Sequence, residues 1–124
     1  VIPAIKECKV VLCDRFIDSS LAYQGYARGL GFDMVLKANT FALDYMPGLT
    51  LFIDVTPDVA LKRLAGRGKT DRLDLEKKDF HDRVYSGYLE VLKKYPDRIV
   101  RINGNQALED VISDCLNVII NYLK

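Results

Sequence analysis

The sequence predicts an α/β fold with a parallel sheet and helices that cross over between its strands. Three short runs, at 10–13, 49–55 and 98–102, predict strands, and the apolar residues of 49–55 lack the clean alternation of a half-exposed strand, as is typical of a strand buried on both faces. Segments with apolar residues at helical spacing separate these runs. Because parallel strands need long crossover connections, we expect one parallel sheet to which this chain contributes three strands.

The first run, Val10–Cys13, is followed by residues suited to binding. We expect a strand that ends at the charged pair Asp14 and Arg15, and then a helix over 19–30 with Asp18 as its N-cap. Open α/β sheets bind their ligands in the crevice beyond the carboxyl ends of their strands. The site is therefore predicted to begin at Arg15.

One face of this predicted helix combines a hydroxyl, an aromatic ring and an amide. Ser20, Tyr23 and Gln24 stand at i, i+3 and i+4 and would project together beside Arg15. A guanidinium matches phosphate geometry, while a ring and an amide suit a flat heterocycle, so the set fits a nucleoside monophosphate. The alternative is an exposed ion pair of Asp14 with Arg15 and a core role for Tyr23, and the spacing alone does not decide between them.

The rest of the chain continues the alternation of helices and strands. Apolar residues at helical spacing predict a helix over 33–46, which Asp33 caps and Pro47-Gly48 ends. The further predicted elements are strand 49–55, a helix capped by Thr56 and begun by Pro57, a long helix through Phe80 and Tyr95, strand 98–102, and a helix over 108–123 with the clearest amphipathic stripe.

A basic loop broken by glycines separates the helix that begins at Pro57 from the long helix. Five positive residues occur there: Lys62, Arg63, Arg67, Lys69 and Arg72. Phosphoryl transfer depends on positioning and charge neutralisation, and an arginine that reaches the transferring phosphate can contribute about 10³ to 10⁵ in rate. Gly66 and Gly68 would allow the loop to close over ATP. The alternative is a solvated basic turn, the commoner fate of a short charge run.

Composition excludes several classes of function. The chain has 124 residues and a formal net charge of +1, which indicates one globular unit without a global basic field for nucleic acid or membranes. Three scattered cysteines and one histidine, His81, match no disulfide framework, metal site or catalytic triad. No apolar run approaches the roughly 20 residues of a membrane span. We expect a soluble protein of the reducing cytosol.

Three motifs resemble bacterial thymidylate kinases. They are Val10–Gly29 with the sequence VVLCDRFIDSSLAYQGYARG, the lid-like Gly66-Arg67-Gly68 and Asp71-Arg72-Leu73, and Asn103–Glu109, and the resemblance covers essentially the whole chain. It implies a three-layer α/β/α fold like that of P-loop nucleoside monophosphate kinases. It also implies a cytoplasmic homodimer that uses ATP and Mg²⁺ to phosphorylate dTMP to dTDP.

The resemblance assigns roles residue by residue. The implied substrate-binding residues are Asp14, Arg15, Phe16, Ser19, Ser20, Tyr23 and Gln24. Arg15 would bind the dTMP phosphate, and Ser20 and Gln24 would lie against the thymine edge. Tyr23 would pack near the deoxyribose and disfavour a 2′-hydroxyl. Asp14 would face the magnesium and phosphate region.

The ATP side of the site is implied in the same way. The lid would span about 63–74, with Arg63 stacked on adenine and Asn105 and Gln106 in the turn near it. Arg67 and Arg72 would approach the phosphates and complete a catalytic set with Arg15. The sequence departs from some relatives at Ala65 and Gly66, where those carry further basic residues.

The family's phosphate loop, Gly-x-x-x-x-Gly-Lys-Ser/Thr, does not occur in the sequence. We therefore expect residues 1–124 to be a single-domain fragment of a longer kinase, inactive and poorly folding alone, with the Mg²⁺ ligands supplied mainly by the missing loop and the phosphates. Two alternatives remain open: a related deoxynucleoside or nucleotide kinase, or a non-catalytic module for nucleotide binding or for dimerisation through the helices of 18–46.

Overall fold

The computed structural model describes residues 1–66 and 72–124, without the side chains of 72–77. Its helices are α1 (Ile2–Lys6), α2 (Ile17–Ser20), the π-helix (Leu21–Ala27), α3 (Phe32–Ala38), α4 (Thr40–Leu43), α5 (Pro57–Ala65), α6 (Arg72–Lys94) and α7 (Leu108–Leu123), and its strands are β1 (Thr50–Asp54) and β2 (Ile99–Asn103). None of the described helices is long and apolar enough to cross a membrane.

The two strands form a parallel sheet, as predicted. Thr50 pairs with Ile99 and Asp54 with Asn103, so the five residues of each strand are in register. Helices α5 and α6 form the crossover between them. The predicted α/β class is confirmed, and both strands lie within a residue or two of their predicted positions.

The third predicted strand, Val10–Cys13, is not formed. This segment is irregular, and Val10 and Leu12 are 64% and 84% exposed. A strand is stabilised by backbone hydrogen bonds to a neighbour. No neighbouring strand lies beside 10–13 in the described part of the chain, so its apolar, β-branched sequence is not sufficient to make it a strand.

The helix predicted for 19–30 begins earlier and changes its geometry. Helix α2 starts at Ile17 and continues directly into the π-helix, where the Arg28 N–H donates to the Tyr23 carbonyl at 3.0 Å. A hydrogen bond between residues five apart defines a π-helix. Asp18 therefore lies inside the first turn, 7% exposed, and the prediction that it caps the helix is wrong.

The helix predicted for 33–46 is divided into α3 and α4. Asn39 separates them, and its amide Nδ2 donates to the Val35 carbonyl at 2.8 Å. Such a side-chain hydrogen bond competes with continuation of the helix. Gly31, with a φ of +80°, replaces Asp33 as the N-cap, because glycine adopts this left-handed backbone without a steric penalty.

The core lies where α6 crosses the π-helix. Leu21, Ala22 and Val91 are almost fully buried there. A Cβ atom on Gly87 would lie 2.8 Å from the Ala22 carbonyl oxygen, so glycine allows these two backbones to approach closely. Burial of each side chain such as Leu21 contributes about 1.5 to 3 kcal/mol, which makes this contact a main stabilising feature.

Helix α7 is formed as predicted, but most of its apolar stripe is exposed. Leu108, Ile112, Leu116 and Ile120 are each about half or more exposed, while the helix packs on β2.

Candidate functional site

An open cavity of about 380 Å³ lies beside α2 and the π-helix. Its lining residues are Arg15, Phe16, Ile17, Ser19, Ser20, Tyr23, Gln24, Asn39, Phe41 and Ala42. Six of the seven residues predicted to bind the substrate are in this set. Asp14 does not line the cavity and is exposed. The sequence pattern thus brings together a charge, two hydroxyls, a ring and an amide.

Arg15 is held at this cavity by two neighbouring side chains. Its Nε–H donates to Ser19 Oγ at 3.3 Å, and its guanidinium carbon lies 4.6 Å from the centre of the Tyr23 ring. A guanidinium over an aromatic face is attracted by the electron-rich ring. The positive charge is therefore oriented while the residue stays exposed.

The backbone of Arg15 adopts an unusual conformation. Its φ of +63° lies in the left-handed region, which costs a residue with a Cβ roughly 1 to 2 kcal/mol. Strain of this kind persists only where the surrounding structure enforces it, and it is often found at binding sites.

Tyr23 forms one wall of the cavity and is fixed by two other rings. It makes edge contacts with Phe80 and Tyr88, at centroid distances of 6.1 and 6.2 Å. Tyr88 in turn stacks on Phe52 of β1 at 5.2 Å. Offset and edge-to-face pairs of this kind each contribute about 0.5 to 1.5 kcal/mol beyond burial, so these contacts stabilise the position of the Tyr23 ring.

Asp18 anchors the site to the sheet. Its carboxylate accepts hydrogen bonds from both terminal nitrogens of Arg98, at 2.7 and 2.8 Å, and from Thr50 Oγ1 at 3.1 Å. Arg98 also lies over the Tyr95 ring. The helix that carries Ser19 and Ser20 is thereby tied to the first residue of β1 and to the residue before β2.

This attachment corrects the predicted position of the site. We expected it beyond the carboxyl end of a strand, but no strand precedes Arg15, and Asp18 contacts the amino-terminal ends of β1 and β2. Sequence reasoning also missed Asn39, Phe41 and the role of Arg98. Arg98 lies 80 residues from Asp18, and no local pattern connects the two.

The described residues assigned to ATP lie in the turn after β2 and in the last turn of α5. Asn105 Oδ1 accepts a hydrogen bond from the Thr56 N–H at 3.2 Å and so connects the turn after β2 with the start of α5. Gln106 donates to Asp114 on α7, and Arg63 is exposed in the last turn of α5. Arg67 lies outside the described residues, as does the side chain of Arg72, so of the predicted lid only 63–66 and the backbone from 72 are described.

A second charged cluster occupies the end of the sheet. Arg101 pairs with the carboxylate of Asp54, which is 5% exposed. Burial and the neighbouring Asp54 raise the pKa of Tyr85 above its usual value. The same carboxylate also raises the pKa of Arg101 above its usual value. In the described part of the chain, no group of three His, Cys, Asp or Glu side chains could hold a metal ion.

Comparison with known proteins identifies relatives of the chain. The family model for thymidylate kinase matches residues 1–115. The thymidylate kinase of Clostridium novyi is 58% identical over 92% of the chain, and that of Oceanobacillus iheyensis is 52% identical over all of it. The crystal structure of thymidylate kinase from Ehrlichia chaffeensis is 30% identical and superposes with a TM-score of 0.71 over 95% of the chain.

The match covers only part of each relative. The chain spans 57% of the Clostridium protein, 56% of the Oceanobacillus protein and 53% of the Ehrlichia chain. The residues matched by the family model nevertheless include the whole cavity, both strands and the first half of α7. The chain belongs to the thymidylate kinase family.

Proposed function

We propose that the protein transfers the γ-phosphate of ATP to dTMP and that this chain supplies the binding site for the phosphoryl acceptor. The observation that carries the proposal is the cavity in which Arg15 lies beside Ser19, Ser20, Tyr23 and Gln24. Family membership supports the reaction.

Within this proposal, each side chain has a distinct task. Arg15 binds the acceptor phosphate, because a guanidinium offers two parallel donors to phosphate oxygens. Ser20 and Gln24 supply hydrogen-bonding groups for the thymine edge. The fixed Tyr23 ring packs against the deoxyribose and leaves little room for a 2′-hydroxyl.

The lid and the ATP contacts remain part of the proposal. Arg67 and Arg72 would neutralise charge on the transferring phosphate, and Arg63 would stack on adenine. Asn105 and Gln106 shape the turn nearby through their hydrogen bonds to Thr56 and Asp114. Since the chain spans little more than half of its relatives, we place catalysis in a longer protein, which we propose is a cytoplasmic homodimer.

The described residues would supply only a minor part of a Mg²⁺ site. This ion is usually held by one or two carboxylates together with substrate phosphates and water. Asp14 is exposed next to Arg15, at the predicted phosphate position. When bound, Mg²⁺ would neutralise phosphate charge, and among the described residues Asp14 would face it.

A steady-state assay of the full-length protein with ATP and Mg²⁺ tests the proposal. We expect dTMP to be phosphorylated with a kcat/KM far above those for thymidine, dCMP and AMP. Arg15→Ala should lower kcat/KM for dTMP at least about 30-fold, because truncation of a charged hydrogen-bonding partner costs about 2 kcal/mol or more. Lys9→Ala removes an exposed charge away from the cavity and should have little effect.

Two results would contradict the proposal. A preference for thymidine or for another monophosphate would assign the chain to a related kinase. A full-length protein that binds dTMP but transfers no phosphate would instead support the non-catalytic nucleotide-binding module.

A further inference from the structure

We propose that the hydroxyl of Tyr88 positions Arg15 for the acceptor phosphate by acting through Ser19. Tyr88 does not line the cavity and has no part in the predicted site. The inference rests on the proposed function only in naming the phosphate of dTMP as the group that Arg15 binds. Tyr88 is thus a positioning residue rather than a catalytic one.

The connection consists of two hydrogen bonds in series. The Arg15 Nε–H donates to Ser19 Oγ at 3.3 Å, and Ser19 Oγ lies 2.9 Å from the Tyr88 hydroxyl oxygen. The serine hydroxyl therefore interacts with both groups. Hydrogen bonds in such a chain polarise one another, so each strengthens the next.

Packing holds the Tyr88 ring in place, so its hydroxyl can anchor the two hydrogen bonds in series. Its ring stacks on Phe52 at an interplanar angle of 17° and meets the Tyr23 ring at 87°. The preceding residue, Gly87, lets α6 approach the π-helix so closely that a Cβ atom would meet the Ala22 carbonyl oxygen at 2.8 Å. Contact between α6 and the helix that bears Ser19 is thus built into the packing of the core.

The Tyr88 hydroxyl restricts Ser19 and, through it, Arg15, which the packing of the Tyr88 ring alone cannot do. Arginine has about 2 kcal/mol of side-chain conformational entropy, much of which is lost when the guanidinium binds a phosphate. Ser19 Oγ and the Tyr23 ring already restrict Arg15 in the free protein. Fixing Ser19 by Tyr88 moves part of the entropic cost from binding to folding, which favours phosphate binding.

Tyr88→Phe in the full-length protein tests the positioning role, since it removes the oxygen and keeps the ring. We expect the Kd and KM for dTMP to rise about three- to tenfold, the usual effect of one hydrogen bond. The Kd for thymidine, which lacks the phosphate, should stay unchanged. Tyr45→Phe, at an exposed tyrosine outside the cavity, is the matched control. Equal weakening of dTMP and thymidine binding would overturn the proposal, because it would indicate a general structural effect.

A double-mutant cycle identifies the route. Tyr88→Phe should have almost no further effect on dTMP binding in a Ser19→Ala background, because both changes interrupt the same chain. Fully additive effects would exclude Ser19 as the link and overturn the proposal.

A measurement without nucleotide separates this proposal from the proposed function. In ¹H–¹⁵N NMR spectra of the full-length protein, the Nε–H of Arg15, assigned by its loss in Arg15→Lys, should exchange slowly in the wild type and in Tyr45→Phe. It should exchange faster in Tyr88→Phe. An unchanged exchange rate would overturn the positioning role, whereas a protein that fails to phosphorylate dTMP but shows this difference would contradict only the proposed function.

Discussion

Arg98 and Asp18 form a bidentate ion pair between the residue before β2 and the first turn of α2. Both side chains are largely buried, and Thr50 donates a further hydrogen bond to the same carboxylate. The pair joins the sheet to the helix that carries Ser19 and Ser20. Its loss should therefore affect both stability and the geometry of the cavity.

Arg98→Ala should lower the free energy of unfolding by about 3 to 5 kcal/mol, because it leaves the Asp18 carboxylate buried without its partner. Urea denaturation of the full-length protein measures this change. Lys93→Ala breaks the exposed pair with Glu90 and should cost about 1 kcal/mol or less. Similar losses in both variants would show that the buried pair has no special role.

Arg15→Gly and Arg15→Ala should differ in stability although both remove the guanidinium. Glycine adopts the φ of +63° freely, whereas alanine retains the steric cost. We expect the glycine variant to be more stable by about 1 kcal/mol in urea denaturation, and both to lose dTMP affinity. An alanine variant at least as stable as the glycine variant would mean that this backbone conformation is not strained.

The sequence predicted the elements well where apolar runs and capping residues mark their ends. Strands 49–55 and 98–102, the start at Pro57 and the last helix follow from apolar runs and capping residues, and all are present. The helical spacing of Ser20, Tyr23 and Gln24 placed them on one cavity even though the segment is partly a π-helix.

The errors arise where distant residues decide the structure. Val10–Cys13 has a strand sequence but no strand beside it in the described residues, and strand formation depends on such a neighbour. Asp18 resembles a cap until Arg98, far along the chain, makes it a buried anchor. Tyr88 reaches Ser19 across 69 residues, a contact without any local signature.

Gly87→Ala should destabilise the protein by about 1 to 3 kcal/mol, the usual cost of an overpacked contact. The added Cβ atom would lie 2.8 Å from the Ala22 carbonyl oxygen and 3.0 Å from the Tyr26 Cβ, so the backbones must separate. Gly66→Ala is the control, because its nearest atoms lie at 3.7 Å. Thermal unfolding that shows equal effects at the two positions would contradict the close contact of α6 with the π-helix.

Tyr85 should make the stability of the protein depend on alkaline pH. Burial and Asp54 raise its pKa in the folded state, so the unfolded chain releases the phenolic proton first, near pH 10. The stabilisation from the neutral phenol is therefore complete below about pH 10 and is lost as pH rises through the folded-state pKa. Urea denaturation between about pH 8 and 11 should show the difference in unfolding free energy between the wild type and Tyr85→Phe shrinking as pH rises. A difference that stays constant over this range would mean that neither burial nor Asp54 raises the pKa of Tyr85, and a difference that grows would mean that its pKa is lowered by folding.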